Sequence, residues 1–272
     1  MVDYGGYQYL DVDVRDDIAF IVINRPERLN ACRLMDHREF SLVLRDIARD
    51  DTVKVAVVTG AGRAFSVGGD LELLERMLDQ THDEAEQLFD DARELVLAHV
   101  DLDKPIVAAV NGYAMGAGAA FALLCDFIIM ERQATIADGH IRAAIAAGDG
   151  GTLIWPLTVG LTKTKQYLLT GDGISAEEAA RIGLITEVVD EGQALERATE
   201  VATRLAAGPQ RAIRYTKRTL NQWLRTGVAT SFDYSLALEL RTMGSDEAVE
   251  AIRMLRSSKQ PAIPKDTTPG GA

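Results

Sequence analysis

Hydrophobic positions change their spacing several times along the chain, and those changes mark its elements. Between Tyr9 and Ile23, apolar residues first alternate with acidic ones (Tyr9-Leu-Asp-Val-Asp-Val14) and then run together (Ile18-Ala-Phe-Ile-Val-Ile23). This pattern predicts two strands separated by Arg15-Asp16-Asp17 and ended by Asn24-Arg25-Pro26. From 33 to 49 the spacing is helical, with Leu34, Phe40, Val43, Leu44 and Ile47 on one broad face, and Val53 to Thr59 reads as a short buried strand. A glycine-rich loop, Gly60 to Asp70, leads toward a further helix from about Asp83 to His99.

The longest apolar stretch, Ile106 to Cys125, has Asn111 as its only plainly polar residue and is long enough to cross a bilayer. It reads better as a buried strand, a turn and a helix. Ile106, Val107 and Val110 favour an extended chain, Asn111-Gly112 is a turn signal, and Asp126 closes the far end. The strand Phe127 to Met130 follows. Alternating strands and helices of this kind point to an α/β architecture. Beyond Gly160 the pattern is mostly helical, with helices expected at Thr162–Leu169, Ser175–Ile182 with a serine cap, Glu191–Ala207, Pro209–Arg225 and Ser231–Arg256. Gly208-Pro209 marks a boundary. The expected division is a core over 1–208, a helical region over 209–256 and a loose tail over 257–272.

Charge and cysteine content narrow the classes. The 29 basic and 41 acidic residues leave a formal charge of −12, which argues against nucleic acid and anionic membranes as partners despite the local basic stretch from Arg211 to Arg225. Two cysteines in apolar surroundings, Cys32 and Cys125, exclude a disulfide framework and a cysteine-ligated metal site. A reducing cytoplasm fits, and the first residues lack the basic start and apolar run of an export signal.

The small-residue helix start at Gly116-Ala-Gly-Ala119 carries the first chemical signal. Backbone N–H groups at a helix start have no partner within the helix, and the helix dipole favours negative charge there. The segment therefore reads as a site for an oxyanion. It fails the dinucleotide fingerprint, since Phe121 stands at the sixth position, and the loop Gly60 to Asp70 lacks the Gly-Lys-Ser/Thr ending of a phosphate loop.

Five motifs in order resemble the crotonase (enoyl-CoA hydratase/isomerase) superfamily over roughly residues 9 to 256. They are Asn24-Arg-Pro-Glu-Arg-Leu-Asn30, Phe65-Ser-Val-Gly-Gly-Asp70, Lys104-Pro105 through Asn111-Gly112 to Cys125-Asp126, Gly148-Asp-Gly-Gly151, and Leu169 to Ala179. The resemblance implies a ββα spiral with a C-terminal helical trimerisation region, assembled as a homotrimer or a dimer of trimers. It implies a CoA thioester substrate, as in fatty acid metabolism, with no tightly bound cofactor and no metal. By the same resemblance, the N–H groups of Gly69 and Ala117 form the oxyanion hole. Arg28, Leu29, Val67 and Asp70 fall at CoA-contact positions, and Arg25 or Arg28 is placed to meet phosphates. The Leu71 to Gln80 segment and the helix near Phe232 and Tyr234 are expected to wall the acyl pocket.

The chain departs from the family's hydratases at the two glutamates that act as acid and base on one water. Ala120 and His140 stand at those positions. Alanine transfers no proton, whereas imidazole titrates near neutrality. Asp149 lies nine residues beyond His140 and is expected to orient it, the logic of a base with its orienter. Asp149 is also placed to act as a nucleophile, as in the family's aroyl-CoA dehalogenases, or to cap the helix beginning near Gly150. The spacing, followed by Trp155-Pro156, resembles the 6-oxocamphor hydrolase (β-diketone hydrolase) branch, in which His37 also falls at an active-site position. For His37, on the charged stretch Asp36-His-Arg-Glu39, a solvated surface is the competing reading. Another histidine of that branch is replaced by Ala117. His82 and His99 read as surface and helix-end residues, and four scattered histidines assemble no metal set. Three functions remain: a CoA-thioester enzyme with a His–Asp dyad performing hydration, hydrolysis or C–C cleavage; a CoA-independent diketone hydrolase; and a catalytically silent acyl-CoA-binding oligomer.

Overall fold

A computed structural model describes residues 2–78 and 81–257. Strand β1 (Leu10–Arg15) turns through Asp16 and Asp17, both at positive φ, into its antiparallel partner β2 (Ile18–Ile23). Helix α1 (Leu34–Arg49) carries the chain to β3 (Val55–Gly60), parallel to β2. A short strand β4 (Ala64–Ser66) follows, then α2 (Leu71–Met77), α3 (His82–Asp101) and β5 (Ile106–Val110). Next come β6 (Tyr113–Met115), α4 (Ala117–Leu123), β7 (Phe127–Glu131) and β8 (Thr135–Ala137). The remainder is α5 (Gly151–Thr170), β9 (Ile174–Ser175), α6 (Ala176–Arg181), β10 (Glu187–Val189), α7 (Ala194–Ala206), α8 (Gln210–Gly227), α9 (Asp233–Met243) and α10 (Asp246–Ser257).

Two sheets result, one of six strands in the order β1-β2-β3-β5-β7-β10 and one of four in the order β4-β6-β8-β9. The central strands are apolar throughout because both faces are covered, as parallel strands require. Successive residues point to opposite sides, so Ile18, Phe20, Val55, Val57, Val107 and Ala109 pack on Ala194, Ala198 and Val201 of α7. Their neighbours Ile21, Val58, Ala108 and Val110 face the main core with α1, α3 and α4.

Two buried lysines join the layers. Lys104 Nζ donates to the carbonyls of Ile47 (2.7 Å) and Asp50 (2.6 Å), satisfying acceptors at the end of α1 that the helix leaves open. Lys217 Nζ on α8 donates to Lys104 O (2.9 Å) and Asp126 (2.6 Å). The basic stretch from Arg211 to Arg225 is thus partly spent internally, with Arg214 on Asp103 and Arg225 on Asp101.

Several elements depart from the sequence reading. The Asn111-Gly112 turn leads into β6 before α4 begins, because this strand completes a second sheet too short to show periodicity. The helix expected at Thr162–Leu169 runs from Gly151 to Thr170 with a break at Gly160, and the one expected at Ser231–Arg256 is divided into α9 and α10 around Gly244. A π-helical turn, Val228–Phe232, joins α8 to α9. Ser175 caps α6 as expected, accepting from Glu178 N. Of the tail expected over 257–272, residues 258–272 lie outside the described residues. Among the described residues no helix is long and apolar enough to cross a membrane.

His99 stands in the last turn of α3, the helix end expected of it, but faces inward. It is 2% exposed, its Nδ1–H donates to Leu95 O (3.0 Å), and its ring meets Phe121 edge-on. Burial pushes its pKa down to about 4, helped by the charge of Lys217. Between about pH 6.5 and 4 the unfolded chain therefore binds the proton that the folded chain refuses, and stability falls as the pH drops through this window. His99→Leu is expected to flatten that acid limb by roughly 2 kcal/mol between pH 7 and pH 5, measured by urea unfolding at those two pH values.

Candidate active site

The loop after β4 and the start of α4 meet backbone to backbone. A Cβ on Gly118 would lie 2.3 Å from Ser66 O, and one on Gly68 would lie 2.7 Å from Met115 O and 3.3 Å from Ala117 N. Gly116 precedes α4 at φ 51°, ψ −126°, a conformation that a side chain would strain. Ala117 is the first residue of α4, so its N–H has no acceptor within the helix. Neither this N–H nor that of Gly69 donates to any group among the described residues. Both residues line a cavity of about 700 Å³.

The same cavity is lined by a charged cluster, which begins beside Gly116: a Cβ there would lie 3.9 Å from the His140 ring. His140 follows Gly139 in a single helical turn, and its Nδ1 lies 2.9 Å from Asp138 Oδ1. Its Nε2 is 3.4 Å from Asp149 Oδ2 and 3.6 Å from Glu239 Oε1. These are ion-pair distances without the alignment of hydrogen bonds, and both Asp149 oxygens and Glu239 Oε2 are buried with no hydrogen-bond partner. Burial alone would push the His140 pKa down, but the carboxylates of Asp149 and Asp138 outweigh it and hold the group well above 6.5, as an imidazolium. Asp149 is raised by burial, yet the charge of His140 brings it below the usual carboxylate range. For Glu239 burial wins: it pushes the pKa up to about 8, the charge of His140 opposes this without cancelling it, and the anions Asp149 and Asp138 add to the rise, so the group is mostly protonated at neutral pH.

Bare backbone makes room for these groups. A Cβ on Gly151 would lie 2.3 Å from Asp138 Oδ2, and one on Gly148 would lie 2.3 Å from Glu239 Oε2. The segment carrying Asp149 is tied to α9 by Ala146 N donating to Thr242 (2.9 Å).

The residues picked from sequence are distributed as follows. His140, Asp149, His37, Gly69 and Ala117 line one cavity, together with Arg28, Leu29, Val67 and Asp70. His37 is 8% exposed on the inner side of α1, its Nδ1 is unpartnered and its charge reaches Asp149, so the solvated-surface reading is corrected. Asp149 does not cap α5, whose N-cap is Gly150. The partner on His140 Nδ1 is Asp138, two residues away, rather than Asp149. Asp70 is occupied structurally, accepting from Leu73 N at the start of α2 and from Arg25 Nη1 (3.2 Å). Arg25 also donates to Ala31 O, whereas Arg28 is exposed at the cavity's rim. Phe232 is fully buried in the core and Tyr234 is exposed, and neither lines the cavity. Their helix contributes Leu236, Glu239, Leu240 and Met243 instead, at helical spacing along one face. Leu73 and Leu74 supply the wall expected from 71–80, of which 79–80 lie outside the described residues. Asp138, His140 and Asp149 also offer atoms within 4.8 Å of one another, a set that the scattered histidines did not suggest.

Sequence reading missed Glu239 and Asp138. A glutamate on the apolar stripe of α9, three residues from Leu236 and one from Leu240, was the available sign for the first. Asp138 carried no sign beyond its nearness to His140.

Comparison with known proteins agrees with this fold and its glycine-built loops. The model of the enoyl-CoA hydratase/isomerase family matches residues 13–262. The chain belongs to that family. It is 30% identical over 239 residues to a crotonyl-CoA hydratase of Syntrophomonas wolfei, covering 88% of this chain and 89% of the relative. It is 32% identical to a 1,2-epoxyphenylacetyl-CoA isomerase of Escherichia coli, covering 81% and 84%. The crystal structure of an enoyl-CoA hydratase/isomerase from Mycobacterium paratuberculosis superposes with a TM-score of 0.88 at 35% identity, covering 93% of this chain and all of that one. This family member thus has the mixed α/β crotonase-like fold with a helical C-terminal region.

Asp138→Asn removes the anion on His140 Nδ1, and the imidazole is expected to titrate at lower pH than in the unaltered protein. Following the His140 ring protons by NMR against pH checks this, with an unchanged midpoint the contrary result.

Proposed function

We propose that this chain hydrates a 2-enoyl-CoA thioester, with Asp149 and Glu239 as base and acid and with Gly69 and Ala117 polarising the thioester carbonyl. The observation that carries the reading is the separation of two carboxyl groups facing one cavity, Asp149 held ionised beside His140 and Glu239 held protonated. Environments that drive two titratable groups apart in this way assign acid and base. Addition of water needs both, one group removing a proton from water and the other delivering one to the α-carbon. Ala120 is mute in this scheme and His140 replaces the other family glutamate, so proton traffic passes to the cluster around His140. The imidazolium, oriented by Asp138, keeps Asp149 anionic and stabilises charge as the proton moves. Two backbone donors aimed at one carbonyl oxygen stabilise the developing enolate, each worth about 3–4 kcal/mol of barrier. Arg28, Leu29 and Val67 on the cavity wall support contact with the CoA moiety, with the exposed Arg28 guanidinium, 3.8 Å from Glu72, placed to meet a phosphate.

The nearness of His37 to Asp149 favours one second reading, hydrolytic cleavage of a β-diketone without CoA, as in the branch whose histidine and aspartate spacing this chain shares. Product analysis separates the two, since hydration consumes a conjugated thioester whereas diketone cleavage needs no CoA. Exposed apolar side chains on α5 (Leu157, Leu161, Leu169) and α8 (Tyr215, Leu220, Trp223) support assembly as a trimer or a dimer of trimers. Light scattering on the purified protein reads that mass directly.

With crotonyl-CoA and longer 2-enoyl-CoAs as substrates, Asp149→Asn and Glu239→Gln are each expected to lower kcat by about 10²–10⁴ with KM little changed. Full activity in either variant would overturn the assignment, and binding without turnover in the unaltered protein would support the silent oligomer. Glu239 must be protonated to act, so activity is expected to fall as the pH rises through about 8. Glu239→Gln should remove that limb from the pH–rate profile.

A further inference from the structure

The direction of the Gly69 N–H is set by the bonds of its neighbours. Gly69 forms an isolated parallel bridge with Cys32: Cys32 N donates to Gly68 O (2.7 Å), and Asp70 N donates to Cys32 O (3.0 Å). Earlier in the same segment, Val67 N donates to Leu29 O (3.2 Å). In a parallel bridge the flanking peptide groups make both bonds, so the N–H of the bridged residue points away from its partner. Gly69 lines the cavity, and its N–H meets no acceptor among the described residues. Two hydrogen bonds alone give only a modest net hold on such a loop.

Arg25 ties the two sides of the bridge together. Its Nη1 donates to the carbonyl of Ala31, just before Cys32 (2.8 Å), and to Oδ2 of Asp70, just after Gly69 (3.2 Å). The same nitrogen lies 3.8 Å from Asp36 Oδ2 at the start of α1. The other oxygen of Asp70 accepts from Leu73 N (2.8 Å), which joins the loop to α2. The side chain of Arg25 is 17% exposed, and those of Asp70 and Asp36 are 12% and 0%. Removing a cation placed between two buried carboxylates leaves like charges close together with little water to screen them. Asp36 is fixed by Arg33, so the segment carrying Asp70 is the one that yields. Arg25 stands off the cavity wall and does this without touching a ligand.

We propose that Arg25 is a positioning residue for the oxyanion hole: by clamping Ala31 O to the Asp70 carboxylate it keeps the Cys32–Gly69 bridge closed and the Gly69 N–H aimed at the thioester carbonyl. This rests on the reading of Gly69 and Ala117 as carbonyl donors. It assigns Arg25 to the hole and leaves phosphate contact to Arg28. The Ala117 donor is held separately, by α4 and by Gly116 N donating to Ala137 O (3.0 Å), so loss of Arg25 disturbs one donor of the two.

The test is infrared difference spectroscopy of the full-length protein with hexanoyl-CoA, an unreactive thioester, isotope-labelled at its carbonyl. Two donors lower the stretching frequency of the bound carbonyl, and Arg25→Ala is expected to lose about half of that shift. For enoyl-CoA hydration the same variant is expected to lower kcat by at least about tenfold with KM little changed. Arg25→Lys restores a cation with several donors and is expected to recover most of the shift, which a general loosening of the fold would not give. Asp70→Asn serves where Arg25→Ala does not fold: its amide oxygen still accepts from Leu73 N, the charge that Arg25 engages is gone, and part of the shift is again lost. An undiminished shift in either folded variant would overturn the role of Arg25, whatever happens to hydration. A shift lost with Arg25 in a protein that hydrates no enoyl-CoA would sustain the role while the hydration reading fails. Bound thioester with no shift in the unaltered protein, or no binding at all, would overturn the two donors and the role of Arg25 together.

Discussion

The contact on which the rest depends is the one between the backbone of the loop after β4 and the first turn of α4. Ser66 O and Met115 O lie where a Cβ on Gly118 or Gly68 would have to sit, so the two segments approach as closely as peptide chains can. This closeness is bought with glycine, whose greater freedom in the unfolded chain works against folding. In return, two N–H groups from different parts of the chain are left without acceptors at the edge of one cavity. The parallel sheet makes the arrangement rigid, since β4 and β6 run side by side and deliver both segments at the same end.

A second constraint is electrostatic. One imidazole stands among three carboxyl groups, and a buried cluster of that kind cannot ionise fully. His140 takes the positive charge, Asp138 and Asp149 share it, and Glu239 is left to hold its proton. Neutral Glu239 and ionised Asp149 thus follow from one distribution of charge rather than from two separate environments. Position matters as much as type: Asp138 binds the far ring nitrogen and turns the other toward the cavity, where Asp149 and Glu239 wait.

The helical C-terminal region supplies one wall of the cavity. Helix α9 presents Leu236, Leu240 and Met243 to the cavity and Glu239 to His140 along the same face. It is held by Arg93 on Asp233 and by Ala146 N donating to Thr242, so a shift of α9 would move Glu239 and reshape the cavity together.

Alternation and runs of apolar residues placed β1, β2, β3, β5 and β7, because strands covered on both faces leave an unmistakable composition. The glycine spacings at 66–70 and 116–118 marked the backbone donors, since only residues without side chains permit such contacts. Ala120 in place of an acid and the pair His140 and Asp149 were equally plain. The short strands β6, β8 and β9 were not, as two or three residues carry no period. Burial of His37 and His99 was decided by which side of α1 and α3 meets the core, and a charged stretch such as Asp36-His-Arg-Glu39 conceals that. Glu239 lies about a hundred residues beyond His140 in the chain, and only the docking of α9 brings it within 3.6 Å. By itself, then, the chain's order of residues determined the fold class, the two glycine-rich segments that meet at the cavity and the alanine at position 120. Tertiary structure alone decided which carboxyl groups gather at His140 and which of them keeps its proton, because the proton affinity of a carboxyl group is set by the burial and the charges around it.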